Sequence, residues 1–325
     1  MMPSTMTHSY FACDIYERLC NKHYISSLDN FKLYSQGSDP FMFYNYLIGK
    51  KNKYFCNIQK MIHTTDTRNY FINIIEYIIN NDMTSNKDLI TFLYGNICHY
   101  FLDAWCHPFI YYKTGIFKKG DKSTYKYNAL HQDMEFSIDR YLIMKRSQTK
   151  VNKFKIYKEI FDDYKISNEV INCFNYIIKE TYGIDNIANS YDKSVKMMRR
   201  FFYLFNYDRF GIKRNVYKFV DWITPSNIIK IKELSYATED INIDYLNLDN
   251  KKWNHPSIKD EIYNYSFFDL YNFAMNDVMS AIKVVDECII NKDLNIKKLR
   301  RVFKNLSCST GKDCQLNLEF KYFEF

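Results

Sequence analysis

Glycine and proline are scarce in this chain, with 8 and 5 residues among 325. The turn signals of an extensive sheet and the linkers that separate domains are therefore few. No apolar run approaches the ~18 residues of a membrane span. Neither a basic nor an apolar signal region follows Met1-Met2-Pro3-Ser4-Thr5, so the expected location is cytoplasmic. The nine cysteines show no CxxC or zinc-knuckle spacing, which fits reduced thiols better than a disulfide framework.

What is abundant is hydrophobic and aromatic, at 47% and 18% of the residues. That composition can bury a large core, and the periodicity is helical. Helical segments are expected at about 8–22, 67–82, 86–106, 127–146, 154–164, 167–181, 190–205, 213–221, 226–235 and 266–291. Asn86-Lys87-Asp88 starts the third of these with a capping residue, and Pro108 should end it, turning His107 off the helix axis. Residues 236–256 read as irregular. With no internal repeat, the expectation is an all-α, compact multi-helix domain spanning 1–325. Its candidate ligands lie in about 1–150, and about 151–325 form a supporting helical half.

The formal charge of +8 is spread along the chain, with clusters at Lys153-Lys155-Lys158, Arg199-Arg200 and Lys297-Lys298-Arg300-Arg301 that read as solvated helix faces. The many Tyr, Asn, Ile and Lys residues match the drift of an AT-rich genome. Aromatic abundance is therefore weak evidence for base stacking.

Histidine occurs only seven times, and three of the seven fall in two short strings, His99-x3-Asp103-x3-His107 and His131-x3-Glu135. At ~100° per residue, His99 and Asp103 share one helix face, and His131 and Glu135 repeat that geometry on a second helix. A lone pair of this kind is usually a cap or an ion pair. Two pairs and a fifth candidate within an apolar stretch need a partner for their buried charge, and a cation supplies one. Imidazole nitrogen with carboxylate oxygen is the ligand set of catalytic zinc. Upstream lie His8, Asp39 and His63, whose bland readings are a cap, an Asx-turn and a surface side chain. Together these take five of the seven histidines into one ordered series, leaving His23 and His255 as structural.

The ordered series His8, Asp39, His63, His99-x3-Asp103, His107, His131-x3-Glu135 resembles the zinc-dependent phospholipase C family, which shares its helical fold and three-zinc site with fungal single-strand nucleases. The phrase Tyr94-Gly95-x2-Cys98-His99-Tyr100-x2-Asp103-x2-Cys106-His107-Pro108 is similar to an intracellular-looking bacterial branch of that family. So are Trp253-x2-Pro256, the Ser266-Phe267 helix start and Ser309-Thr310-Gly311. The resemblance implies two to three zinc ions. Asp39, His63, His99 and Asp103 would hold one, and His107, His131 and Glu135 a second. His8 and a bridging Asp103 would hold a third, with the N-terminal amine. Asp39 would also act as, or orient, the general base. The implied activity is phosphodiester hydrolysis by metal-activated water on a phospholipid headgroup or other phosphodiester. A nuclease-like enzyme acting on nucleic acid and a non-catalytic zinc-stabilised scaffold are the alternatives.

Three features depart from the secreted members. The chain begins Met-Met-Pro, so a terminal amine at Pro3, five positions before His8, requires trimming. Only three residues separate Asp103 from His107. Pro40 stands where choline-selective members carry an aromatic, so headgroup preference does not transfer. Cys106, within ~20° of the His99 face, is either a further ligand or a small buried apolar residue. Phe41, Phe43, Tyr44 and Tyr46 either line a cleft beside Asp39 or pack in the core.

Overall fold

The computed structural model describes residues 4–46, 49–228, 230–237 and 241–324. Among them are twelve α-helices: α1 (Thr5–Arg18), α2 (Leu28–Tyr34), α3 (Gly49–Thr64), α4 (Thr67–Asn80), α5 (Lys87–Thr114), α6 (Leu130–Arg146), α7 (Ile156–Glu159), α8 (Asn168–Tyr182), α9 (Asn189–Phe201), α10 (Ile212–Ile223), α11 (Phe267–Asn291) and α12 (Ile296–Val302). Among the described residues the strands form one antiparallel pair, β1 (Trp253–Asn254) with β2 (Ile262–Tyr263), in which Trp253 sits opposite Tyr263. The all-α expectation holds. No helix of the described residues is long and apolar enough to cross a membrane.

The 28-residue α5 is the axis of the fold, packed against α1, α2, α4, α6, α8 and α11. Leu89, Ile90, Phe92, Leu93, Ile97, Phe101 and Phe109 are buried around its whole circumference, the pattern of a helix enclosed by other helices. Asn86 caps its start, the side chain accepting from Leu89 N at 3.1 Å.

Pro108 does not end α5, which runs on to Thr114. A proline inside a helix removes one N–H and frees the carbonyl four residues earlier, here that of Ala104. Gly311 packs onto that carbonyl: at its φ of +63° a Cβ would lie 2.3 Å from Ala104 O and 3.2 Å from Pro108 Cγ. His107 consequently stays on the helix, and His99, Asp103 and His107 form a continuous stripe along α5.

The other expected helices differ mainly in extent. Residues 154–164 hold only the short α7, and 190–205 divide into α9 and a π turn over Phe202–Asn206. The expected helix 226–235 is absent apart from the 3-10 turn Lys232–Leu234 in its described residues. Asn128 and Asp221 side chains satisfy the backbone there instead. Three helices, α2, α3 and α12, escape the periodicity. The buried apolar positions of α3 are only Phe55, Ile58 and Ile62, a stripe too narrow for a pattern search. Among the core residues are Phe41, which stacks on Phe55 and Phe174, and Phe43, which packs at a tilt against Phe201, so packing, not a cleft, is their role.

Candidate metal centre

Five elements bring the eight candidate ligands together: α1 supplies His8, the 3-10 turn Asp39–Phe43 supplies Asp39, and the last turn of α3 supplies His63. His99, Asp103 and His107 come from α5, and His131 and Glu135 from the first turns of α6. Asp103 stands in the middle. Its Oδ1 lies 3.1 Å from His8 Nε2, and its Oδ2 lies 3.3 Å from His99 Nε2 and 3.7 Å from His107 Nδ1. The second carboxylate, Glu135, places Oε1 3.3 Å from His131 Nε2 and 3.5 Å from His107 Nε2. His63 Nε2 is 2.7 Å from His99 Nε2 and 3.5 Å from Asp39 Oδ1.

These separations carry chemical information. Donors bound tetrahedrally at ~2.0–2.1 Å from one ion stand ~3.3 Å apart, the spacing found here. Three groups of donors, each mutually within 4.8 Å, form among the described residues: His8, Asp39 and His99; His63, His99 and Asp103; His107, His131 and Glu135. The grouping differs in one place from that implied by resemblance, since His8 falls with Asp39 and His99. Buried polar atoms left without a hydrogen-bond partner include His8 Nδ1, Asp103 Oδ2, His131 Nε2 and Glu135 Oε2. Orphaned acceptors and imidazoles at such density are what a cation resolves.

The charge state favours the same occupant. Burial lowers the His63 pKa to about 4 and pushes that of His99 well below its ordinary value, so both rings are neutral and free to ligate. Burial opposes ionisation of Asp103, but the His107, His99 and His8 imidazoles outweigh it and hold the carboxyl far below the carboxylate range. Burial, then the Asp103 charge, raises Asp39 to about 7. Burial also opposes a charged His107, yet Asp103 and Glu135 lift it to about 10 in the metal-free protein. Protons on the imidazoles, or divalent ions in their place, compensate the buried carboxylates.

Surrounding groups fix the rings. His99 Nδ1 donates to Ser35 O at 3.2 Å, and His107 Nδ1 donates to Cys308 O at 2.7 Å, leaving each Nε2 directed into the site. Gly37, at φ +53°, lets its loop close over His99, whose ring a Cβ would meet at 2.4 Å. The Gln59 amide donates to Asp39 Oδ1 at 2.9 Å and touches His63 Nδ1 at 2.5 Å.

A profile of the family described as zinc dependent phospholipase C matches residues 7–188. The chain belongs to the zinc-dependent phospholipase C family. All eight candidate ligands, from His8 to Glu135, lie within that stretch. Comparison with curated proteins and with solved structures found no match.

Three supporting residues of this phospholipase C family member were not singled out in the sequence. Gln59 is one turn before His63, a spacing that could have drawn notice. Cys308 ties two ligand helices, its N–H donating to His63 O at 2.8 Å and its carbonyl accepting from His107. Asp139 continues the Glu135 face by one turn, and its carboxylate accepts from Ser4 Oγ, Met6 N, Thr7 N and Thr7 Oγ1 at 2.7–3.0 Å. That clamp orders the start of α1 and so positions His8. Pro3, the expected terminal ligand, lies outside the described residues.

Cys106 is buried and belongs to none of the three donor groups. His255 is structural, its Nε2 donating to Thr310 O at 2.8 Å and its Nδ1 accepting from Ser257 N at 3.1 Å. A separate cavity of about 450 Å³ lies across α5, lined by Phe101, Ala104, Trp105, Pro108 and Trp253, and none of the eight ligand candidates lines it.

Proposed function

We propose that this chain is a zinc-dependent phosphodiester hydrolase of the phospholipase C type, acting on a phospholipid headgroup or a related small phosphodiester. The observation that carries this reading is the convergence of eight imidazoles and carboxylates from five elements, within a chain of a zinc-dependent family. When bound, zinc acidifies a coordinated water and offsets charge on the phosphate and the leaving oxygen. Everything else is the work of the protein. Asp103, between the His8, His99 and His107 rings, would serve two ions at once. His107 and His131 are the more exposed ligand candidates, with side chains 18% and 12% accessible, so the phosphate approaches from their side. Asp39, held by Gln59, would take the proton from the attacking water.

The test is elemental analysis of protein purified without added metal, followed by turnover of phosphatidylcholine, an aryl phosphodiester, single-stranded DNA and RNA. Two or three zinc ions per chain with turnover of the first two substrates is the expected result. Full zinc without turnover of any substrate would leave a metal-stabilised scaffold, and turnover of DNA or RNA alone would make it a nuclease.

A further inference from the structure

Helix α10 is inside out. Ile212, Val216, Phe219 and Ile223 recur at i, i+4, i+7 and i+11 with Trp222 beside them, the apolar stripe of an amphipathic helix. In a globular protein that stripe faces the core. Here it faces solvent: Phe219 and Trp222 are 59% and 80% exposed, and Phe210, just before the helix, is 78% exposed. The polar side does the packing. Lys213 Nζ donates to Tyr207 O at 2.6 Å, Arg214 pairs with Glu233 at 3.7 Å, and the Asp221 carboxylate accepts from Ile231 N and Lys232 N, both at 2.8 Å. The orientation is thus held by directed bonds and cannot be reversed without breaking them. A contiguous apolar patch of this kind marks a surface that is covered in use.

Charge identifies the cover. Six Lys or Arg and three carboxylates lie between Phe202 and Ala237, and all three carboxylates turn inward. Asp208 accepts from Arg214 N and Ser235 Oγ, Asp221 binds the amides named above, and Glu233 meets Arg140 and Arg214. Arg209 and Lys218 are left exposed beside the aromatics, and neither has a carboxylate partner among the described residues. A two-fold contact between copies would bring together two patches whose exposed flanking charges, Arg209 and Lys218, have the same sign, with no carboxylate to offset them. Anionic lipid headgroups complement them, while Trp and Phe insert at the acyl boundary.

Position connects the patch to the site. Immediately after α10 the chain is stapled to Asn128, whose amide donates to Ser226 O at 2.9 Å and Ile228 O at 2.7 Å and whose carbonyl oxygen accepts from Lys230 N at 3.3 Å. Asn128 precedes His131, at the more accessible end of the centre, by three residues.

We propose that α10 is an interfacial helix that docks this protein on an anionic lipid surface through Phe210, Phe219 and Trp222, with Arg209 and Lys218 at the headgroups. The proposal rests on the phospholipase reading only for its purpose, since docking and hydrolysis are measured separately. The test is co-sedimentation of the full chain with vesicles of phosphatidylcholine, alone or mixed with phosphatidylglycerol, together with tryptophan emission. Binding to the mixed vesicles, a blue shift and weakening by salt are expected. The double variant Phe219→Ser/Trp222→Ser should partition about tenfold less or worse. Arg209→Glu/Lys218→Glu, which keeps the apolar face, should lose the preference for phosphatidylglycerol. Equal partitioning of wild type and both variants would overturn the proposal, as would a dimer in sedimentation velocity that the Ser variant dissolves. Hydrolysis of a water-soluble aryl phosphodiester, run on the same proteins, separates the two readings. Wild type and Ser variant should hydrolyse it equally. Vesicle binding without any such hydrolysis would remove the enzyme and leave the docking helix.

Discussion

The ligand stripe of α5 and the apolar stripe of α10 are opposite violations of one rule. On α5, His99 and Asp103 are buried where Leu or Phe would pack at no electrostatic cost, whereas on α10 Phe219 and Trp222 face water where Lys or Glu would be soluble. Each arrangement costs stability unless something absent from the isolated chain completes it, a cation in one case and a lipid surface in the other. The means of tolerance differ. The α5 stripe is enclosed by the other four ligand-bearing elements and their hydrogen bonds. The α10 stripe is simply left open, while its polar back is bolted to the body.

Asp103→Asn is the most damaging way to test the buried side of that contrast. It removes the charge shared by His8, His99 and His107 and should abolish turnover and lower metal content together, read by elemental analysis and kinetics on one preparation. Full zinc with full activity would show that Asp103 bridges nothing. Asp39→Asn should separate the two effects: turnover falls by about 10²–10⁴-fold while metal content changes little. Equal losses of both would make Asp39 a ligand alone.

Asp139→Asn addresses how the burial is tolerated. An amide cannot accept from Ser4, Met6 and Thr7 as the carboxylate does, so the start of α1 should loosen and stability should fall by about 3 kcal/mol. Chemical denaturation measures the loss, and limited proteolysis should then cut near the N-terminus. In contrast, Phe219→Ser/Trp222→Ser should move stability by no more than about 0.5 kcal/mol per site, because both rings are mostly exposed to solvent. A large loss would mean that the stripe is part of the core.

The smallest expected effect is the pH response of His255. Burial lowers its pKa, so the folded ring is neutral where the unfolded one binds a proton. Stability contributed by the neutral ring is therefore present above the ordinary value near 6.5 and falls as pH drops below it. His255→Gln should flatten the decline in Tm between about pH 7.5 and 5.5 relative to wild type. The metal-site histidines contribute equally to both proteins and cancel in the difference.

Most of the candidate centre was legible because histidine and acidic residues at i, i+4 on a helix declare a shared face whatever surrounds them. His99, Asp103, His131 and Glu135 needed no knowledge of the fold, and resemblance ordered His8, Asp39 and His63 around them. Cys308 and Gln59 were not legible. Cys308 acts through its backbone, 201 residues from the ring it holds, and backbone groups leave no mark on side-chain spacing. Pro108 misled for a related reason: the packing that surrounds α5 carries the helix through it, with Gly311, from a distant segment, seated over the freed Ala104 carbonyl.

Composition and periodicity by themselves determined an all-helical chain with a buried metal-type constellation, since both depend on the type and spacing of neighbouring residues. The tertiary structure alone decided that α5 continues through Pro108, that Asp139 orders the N-terminus, and which side of α10 meets solvent. An amphipathic pattern states that a helix has two faces, but the partners that the flanking segments present once folded decide which face packs. For α10 those partners were the Tyr207 carbonyl, the Glu233 carboxylate and the amides of Ile231 and Lys232, and they held the polar one.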